Sequence, residues 1–76
     1  MIDAPAAHAA TITPDDDNDL SENTRGIYVG GTGDLVVITV GGETITFSDV
    51  PAGSLVPIRA SRVLESTTAT NLVGMW

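Results

Sequence analysis

The sequence predicts an all-β unit, a small antiparallel sandwich or barrel of about five short strands with an extended N-terminal arm. Three observations carry this. β-branched and aromatic residues gather in short runs from Gly26 onward, each run is bounded by Gly, Pro, Asp or Asn, and no stretch shows the apolar period of a helix. The chain accordingly divides into an extended acidic arm, residues 1–24, and a small β domain, residues 25–76.

The arm comes first. Residues 1–14 are rich in Ala, Pro and Thr, and Pro5 and Pro14 each bias the preceding residue toward extended backbone. With few large apolar groups, this stretch is expected to be disordered or to order only against a neighbouring surface. His8, the single imidazole, is expected to be exposed and without a role. In PDDDNDLSEN, Asp15, Asp17 and Asp19 alternate as the first ligands of a calcium loop would, but Leu20 stands where that loop needs Gly and Gly26 where it needs Glu. A solvated acidic turn is the expectation, with Asp19 or Ser21 accepting backbone N–H bonds.

Gly26 to Val29 reads as a first strand, followed by a tight hairpin loop, Gly30-Gly31-Thr32-Gly33-Asp34. No Gly-Lys-Ser/Thr follows that would make these glycines a phosphate cradle. The centre of the domain is Leu35 to Phe47, two β-rich runs separated by Gly41-Gly42, a pair suited to a two-residue type I′ turn. Counting outward pairs Val40 with Glu43, Thr39 with Thr44, Ile38 with Ile45, Val37 with Thr46 and Val36 with Phe47. Val36, Ile38, Ile45 and Phe47 then face the core. Leu35, Val37, Thr39, Thr44 and Thr46 form an outer face.

Residues 48–57, with Pro51 and Pro57, are expected to be a connecting loop in which the chain crosses to another part of the sheet. Ile58 to Glu65 alternates as a half-buried strand, Ile58, Ala60 and Leu64 on one face and Arg59, Ser61, Val63 and Glu65 on the other, with a bulge or edge position at Arg62. Residues 66–71 form a polar turn. Leu72 to Trp76 is the last strand, and its tryptophan is read as a core plug or a subunit anchor.

Composition narrows the function. A domain of 76 residues is marginal on its own, and with no cysteine and one histidine it has no disulfide and little metal chemistry to lean on, so partner subunits are the expected supplement. The formal charge of −7, ten acids against three arginines, disfavours nucleic acid; five of the acids fall within residues 15–22. No apolar run approaches a membrane span, and the N-terminus lacks the pattern of a secretory signal. An enzyme is not expected. The carboxylates sit on an exposed segment, the Asp34/Asp49 pair falls in turns where aspartate serves the backbone, and no cofactor-binding, catalytic or metal residue is assigned.

The runs IYVGGTGDLVVITVGGETITF, VPAGSLVPIR and STTATNLVGMW, about two thirds of the chain with their surroundings, resemble the small spike base protein family found with the head genes of gene transfer agents and tailed phages. The resemblance implies a virion structural protein on the capsid surface, made in the host cytoplasm, and carries no catalytic residues. Longer relatives would support a fibre, and this chain ends at Trp76 without such an extension, so a decoration or cement subunit is the expectation. The alternative is a vertex head-spike base or adaptor that holds a fibre or recognises a host glycan. The expected partners are the major capsid protein and copies of the chain itself, a trimer being favoured over a pentamer. The contact residues are expected to be Leu35, Val37, Thr39, Thr44, Thr46, Arg59, Arg62 and Trp76, with residues 1–14 tying subunits together.

Overall fold

The computed structural model describes residues 6–76 and contains seven strands: β1 (Ala9–Thr11), β2 (Gly26–Gly31), β3 (Gly33–Thr39), β4 (Thr44–Val50), β5 (Ser54–Val56), β6 (Ala60–Val63) and β7 (Thr70–Met75). A four-stranded sheet in the order β1-β7-β2-β5 packs on a three-stranded sheet in the order β4-β3-β6, with every pairing antiparallel. The protein is thus a small all-β sandwich with an extended N-terminal arm. Between the sheets lie Ile27, Val29, Leu35, Val37 and Val63, each at most 1% exposed. Burial of side chains of this size stabilises the fold by about 1.5–3 kcal/mol apiece.

The central hairpin forms, but one residue out of the expected register. Leu35 pairs with Phe47, Val36 with Thr46, Val37 with Ile45 and Ile38 with Thr44. The loop is Val40-Gly41-Gly42: the Gly42 N–H donates to the Thr39 carbonyl (2.9 Å), the Thr39 N–H donates to the Glu43 carbonyl (2.8 Å), and only Gly42 takes positive φ, +98°. This is the three-residue connection, a tight turn closed by one left-handed residue, in place of the type I′ turn. Thr39 clamps it, its hydroxyl donating to the Glu43 carboxylate and accepting from the Glu43 N–H. A slip of one residue reverses the faces of β3. Leu35 and Val37 are therefore fully buried between the sheets, on the same face as the partly buried Phe47 and the exposed Ile45, and the outer face carries Val36, itself buried, with Ile38, Thr44 and Thr46.

Two segments expected as loops behave otherwise. Residues 30–34 are not a hairpin loop, because β2 and β3 lie in different sheets and the chain turns the corner between them. The glycines serve close approach there: a Cβ on Gly33 would stand 2.5 Å from the Ala69 nitrogen and 2.7 Å from the Thr68 carbonyl carbon. Ser54–Val56, inside the expected connecting loop, is a strand paired with β2, and the chain passes at Pro51–Gly53 from one sheet to the other instead of to another part of the same sheet. In β6, Ala60 and Val63 are both buried although their odd spacing predicted opposite faces. The ladder shifts by one residue between Thr39↔Ala60 and Ile38↔Arg62, so the bulge lies beside Arg62, on an edge strand.

The arm also departs from expectation. Residues 1–5, including Pro5, lie outside the described residues; from Ala7 onward the arm folds along its own chain. β1 adds an edge to β7, Ile12 enters the core at 8% exposure, and the Asp15, Leu20 and Thr24 N–H groups donate to the carbonyls of Val63, Ser61 and Ala60. Residues 9–24 thus cover one edge of each sheet, that of β7 and that of β6. The unpaired edges of β6 and β7 are strong enough acceptors to order a segment with few apolar side chains.

Candidate assembly surface

Strand alternation places Ala9 and Thr11 of β1, Val73 and Met75 of β7, Tyr28 of β2 and Leu55 of β5 on the outer face of the four-stranded sheet. Leu55, Tyr28, Val73 and Thr11 sit side by side in register, with Leu55 52% and Tyr28 41% exposed. None of these strand positions is charged, in a chain of net charge −7. The sequence reading missed this face. The alternation of Tyr28 against Ile27 and Val29, and of Val73 and Met75 against Leu72 and Gly74, was the available signal, but Leu55 was hidden in an expected loop.

The expected contact residues scatter. Leu35 and Val37 are fully buried, so they cannot line a surface of the folded chain. Thr44 and Thr46 are exposed on the outer face of the three-stranded sheet, where Ile38 lies between Thr44 and Arg62. Thr39 is engaged in the hairpin clamp, and Arg59 is exposed, its carbonyl accepting from the Val40 N–H at 2.9 Å. Arg62 turns to the arm: Nε donates to Asp19 Oδ1 and Nη1 to the Asp16 carbonyl, both at 2.9 Å. Trp76 is half-buried and stacks on His8, ring centroids 5.8 Å apart, while the two backbones exchange hydrogen bonds of 2.8 and 2.9 Å. His8 therefore has a structural partner that its place in the arm did not suggest.

The acidic segment is spent on local structure. Asp15, not Asp19 or Ser21, makes the turn: its carboxylate accepts from the Asn18 side-chain amide (3.0 Å) and the Asp17 N–H (2.8 Å). Those bonds, the Asn18 amide foremost, hold the Asp15 carboxyl below the ordinary aspartate pKa. Asp16 accepts from the Glu65 N–H (2.8 Å) and returns its own N–H to the Glu65 carboxylate (3.2 Å). Among the described residues no group of three or more His, Cys, Asp or Glu side chains could hold a metal ion. Asp34 Oδ1 accepts from the Asp49 N–H (2.9 Å), steadying a residue at φ +54°, so this pair is tied to backbone shape.

Threonines supply the remaining polar structure. Thr24, 1% exposed, donates its hydroxyl to the Ile58 carbonyl (2.8 Å) and accepts from the Ala60 N–H (3.0 Å), joining the arm to β6. Thr67 accepts from the Val36 N–H (2.9 Å), continuing the ladder of β3 beyond the end of β6. A shallow groove of about 110 Å³ runs beside β1, lined by Ile12, Leu20, Glu22, Thr24 and Trp76 among others. Glu22 is the one ionisable side chain in its wall.

A sandwich whose polar groups hold its own chain, and whose broadest exposed sheet face is uncharged, has the makings of an assembly subunit. Comparison with known proteins agrees. No family model and no curated protein matches the chain. Among solved structures, a chain of the particle described as "Capsid of native GTA particle computed with C5 symmetry" superimposes with a TM-score of 0.87 at 40% identity, the match covering 96% of this chain and 86% of that one. The protein belongs to the same family as that gene transfer agent capsid chain.

Proposed function

We propose that the protein is a virion structural subunit of a gene transfer agent or phage-type capsid, located in the particle, and that its activity is contact. The observation that carries this reading is the 40% identity over 96% of the chain to a component of such a capsid particle. Copies associate through the uncharged outer face of the four-stranded sheet, where an acidic protein meets itself with least repulsion, and the assembly docks on the major capsid protein. Two roles on the capsid exterior fit: a decoration or cement subunit spread over the shell, and a vertex base that holds a spike or fibre. The arm favours the vertex base, because residues 9–24 are bonded to their own chain and are not available to tie shell subunits together.

Cryo-electron microscopy of the parent particle tests both levels. Density for rings of the protein at fivefold vertices supports the base. Density at local threefold positions across the shell would return the role to decoration, and absence of the protein from purified particles would overturn the capsid reading altogether.

A further inference from the structure

We propose that the open edge of β4 is a docking site for an extended, basic-ended strand supplied by another virion protein. The inference rests on the capsid reading, but its evidence lies in how the chain treats its sheet edges. Of the four edge strands, β1 and β5 are three residues long. β6 is four residues long, bulged, and covered by the arm through the Asp15 and Leu20 N–H groups. β4 runs for seven residues and, among the described residues, pairs only with β3. Natural sheets guard long edges with Lys, Pro, bulges or cover, and Thr44–Ser48 has none of these.

The pairing pattern shows which groups are open. Thr39 bonds to Glu43, so by antiparallel alternation Val37/Ile45 and Leu35/Phe47 are the hydrogen-bonded pairs. By that alternation the backbone N–H and C=O groups of Thr44, Thr46 and Ser48 point away from β3, toward the side on which no strand of the described residues pairs with β4. Their side chains favour a strand partner as well. Ile45 is 41% exposed and Phe47 half-buried on the core-facing side, so the sandwich is left open where another strand would extend it. Beyond Ser48 the ladder shifts, with Asp49 at φ +54°, and the flat part of the edge ends.

Charge selects the occupant. Exposed Glu43 and Asp49 stand at the two ends of the uncharged stretch. Two copies pairing antiparallel about Thr46 would set Glu43 of each opposite Asp49 of the other, like charges in register, which destabilises a ladder. A segment of about five residues with β propensity, flanked by Lys or Arg, meets the same edge with both ends attractive.

The test uses the full chain and two synthetic peptides with one alternating Val/Thr core, one ending in Lys at both ends and the other in Glu. Amide exchange followed by NMR should show protection at Thr44, Thr46 and Ser48 with the Lys-ended peptide, which should bind about tenfold tighter than the Glu-ended one, two end pairs having changed sign. Thr46→Pro removes an outward N–H and should abolish protection while leaving the oligomeric mass unchanged; the double variant Glu43→Lys, Asp49→Lys should reverse the peptide preference. No protection with either peptide, or equal affinity for both, would overturn the proposal. Protection at these amides on raising the protein concentration alone, or loss of self-association in Thr46→Pro, would assign the edge to a second copy and overturn it too. A monomer that ignores capsids yet still captures the Lys-ended peptide would sink the capsid reading and leave the docking edge standing.

Discussion

Thr24 is the point at which the acidic arm becomes part of the sandwich, so replacing it tests that union. Thr24→Val keeps the shape and removes the hydroxyl. Two hydrogen bonds disappear, the one donated to the Ile58 carbonyl and the one accepted from the N–H of Ala60, a residue with no solvent exposure. A lost hydrogen bond costs about 0.5–1.5 kcal/mol and a buried N–H left without a partner about 1–3 kcal/mol, so a loss of roughly 2–3 kcal/mol is expected. Small domains have about 0.05–0.15 kcal/mol of stability per residue, so the variant gives up a large share of the total. In a domain of this size the melting temperature should fall by about 8–16 °C for about 2 kcal/mol. Urea and thermal unfolding of the full chain at one fixed protein concentration provide the assay. Thr24→Ser, which keeps the hydroxyl and loses a methyl, should recover most of the difference. A Thr24→Val protein within about 0.5 kcal/mol of the parent, the range of ordinary surface changes, would show that the arm is an accessory and not a structural edge.

The hairpin register predicts that Leu35→Ala costs about 2–5 kcal/mol while Ile38→Ala, at a half-buried outer position, costs clearly less; equal or reversed losses on denaturant titration would restore the register with Val36 and Ile38 inward. Gly33→Ala sets a methyl within 2.7 Å of backbone atoms of Thr68 and Ala69, and the strain should exceed about 2 kcal/mol. Gly42→Ala meets nothing within 4 Å and should cost only the left-handed conformation, about 1–2 kcal/mol. A Gly33→Ala protein as stable as the parent would contradict the close crossing of the two sheets. Because the Asp15 carboxyl is held below its unfolded value, its contribution to stability is full above the ordinary aspartate pKa and is lost as pH falls through the lowered one. NMR titration should place Asp15 below the ordinary aspartate pKa, and Asn18→Ala should move it back upward; a native titration at or above the ordinary value refutes the turn.

Much of the fold is legible in the sequence. Short β-prone runs punctuated by glycine and proline gave the class, and the Gly41-Gly42 pair marked the hairpin. The register is not legible there, because a two-residue and a three-residue loop both satisfy that glycine pair. Which one forms is settled by the burial of Leu35 and Val37 and by the Thr39–Glu43 clamp, and neither is a local property. Gly30, Gly31 and Gly33 looked like a turn because glycine marks turns and close crossings alike; only the approach of residues 68–71 tells them apart. The order of the arm is hidden from the sequence for a related reason. It has few large side chains, but its backbone amides meet carbonyls on β6 and β7 that would otherwise go unpaired, and Ile12 provides the apolar anchor.

The candidate surface was less legible than the fold. Counting from the wrong register assigned Leu35 and Val37 to the exterior, and treating residues 48–57 as a loop concealed Leu55 from the face it shares with Tyr28 and Val73. The exposed threonines of β4 were recognised, but their meaning lies in the backbone groups pointing outward beside them. Chemistry read from residue types proved a poor guide to position here, because most ionisable groups of the acidic segment are occupied in turns and in bonds to β6 and the residues after it.

Under the proposed function, this small sandwich acts by being covered on a capsid by its own copies and by shell subunits. Sedimentation of the purified full chain with capsids that lack it tests this most directly. Saturable co-sedimentation is expected, weakened by Leu55→Asp or Tyr28→Asp together with self-association. A chain that remains a monomer in the supernatant at saturating capsid concentration would contradict it.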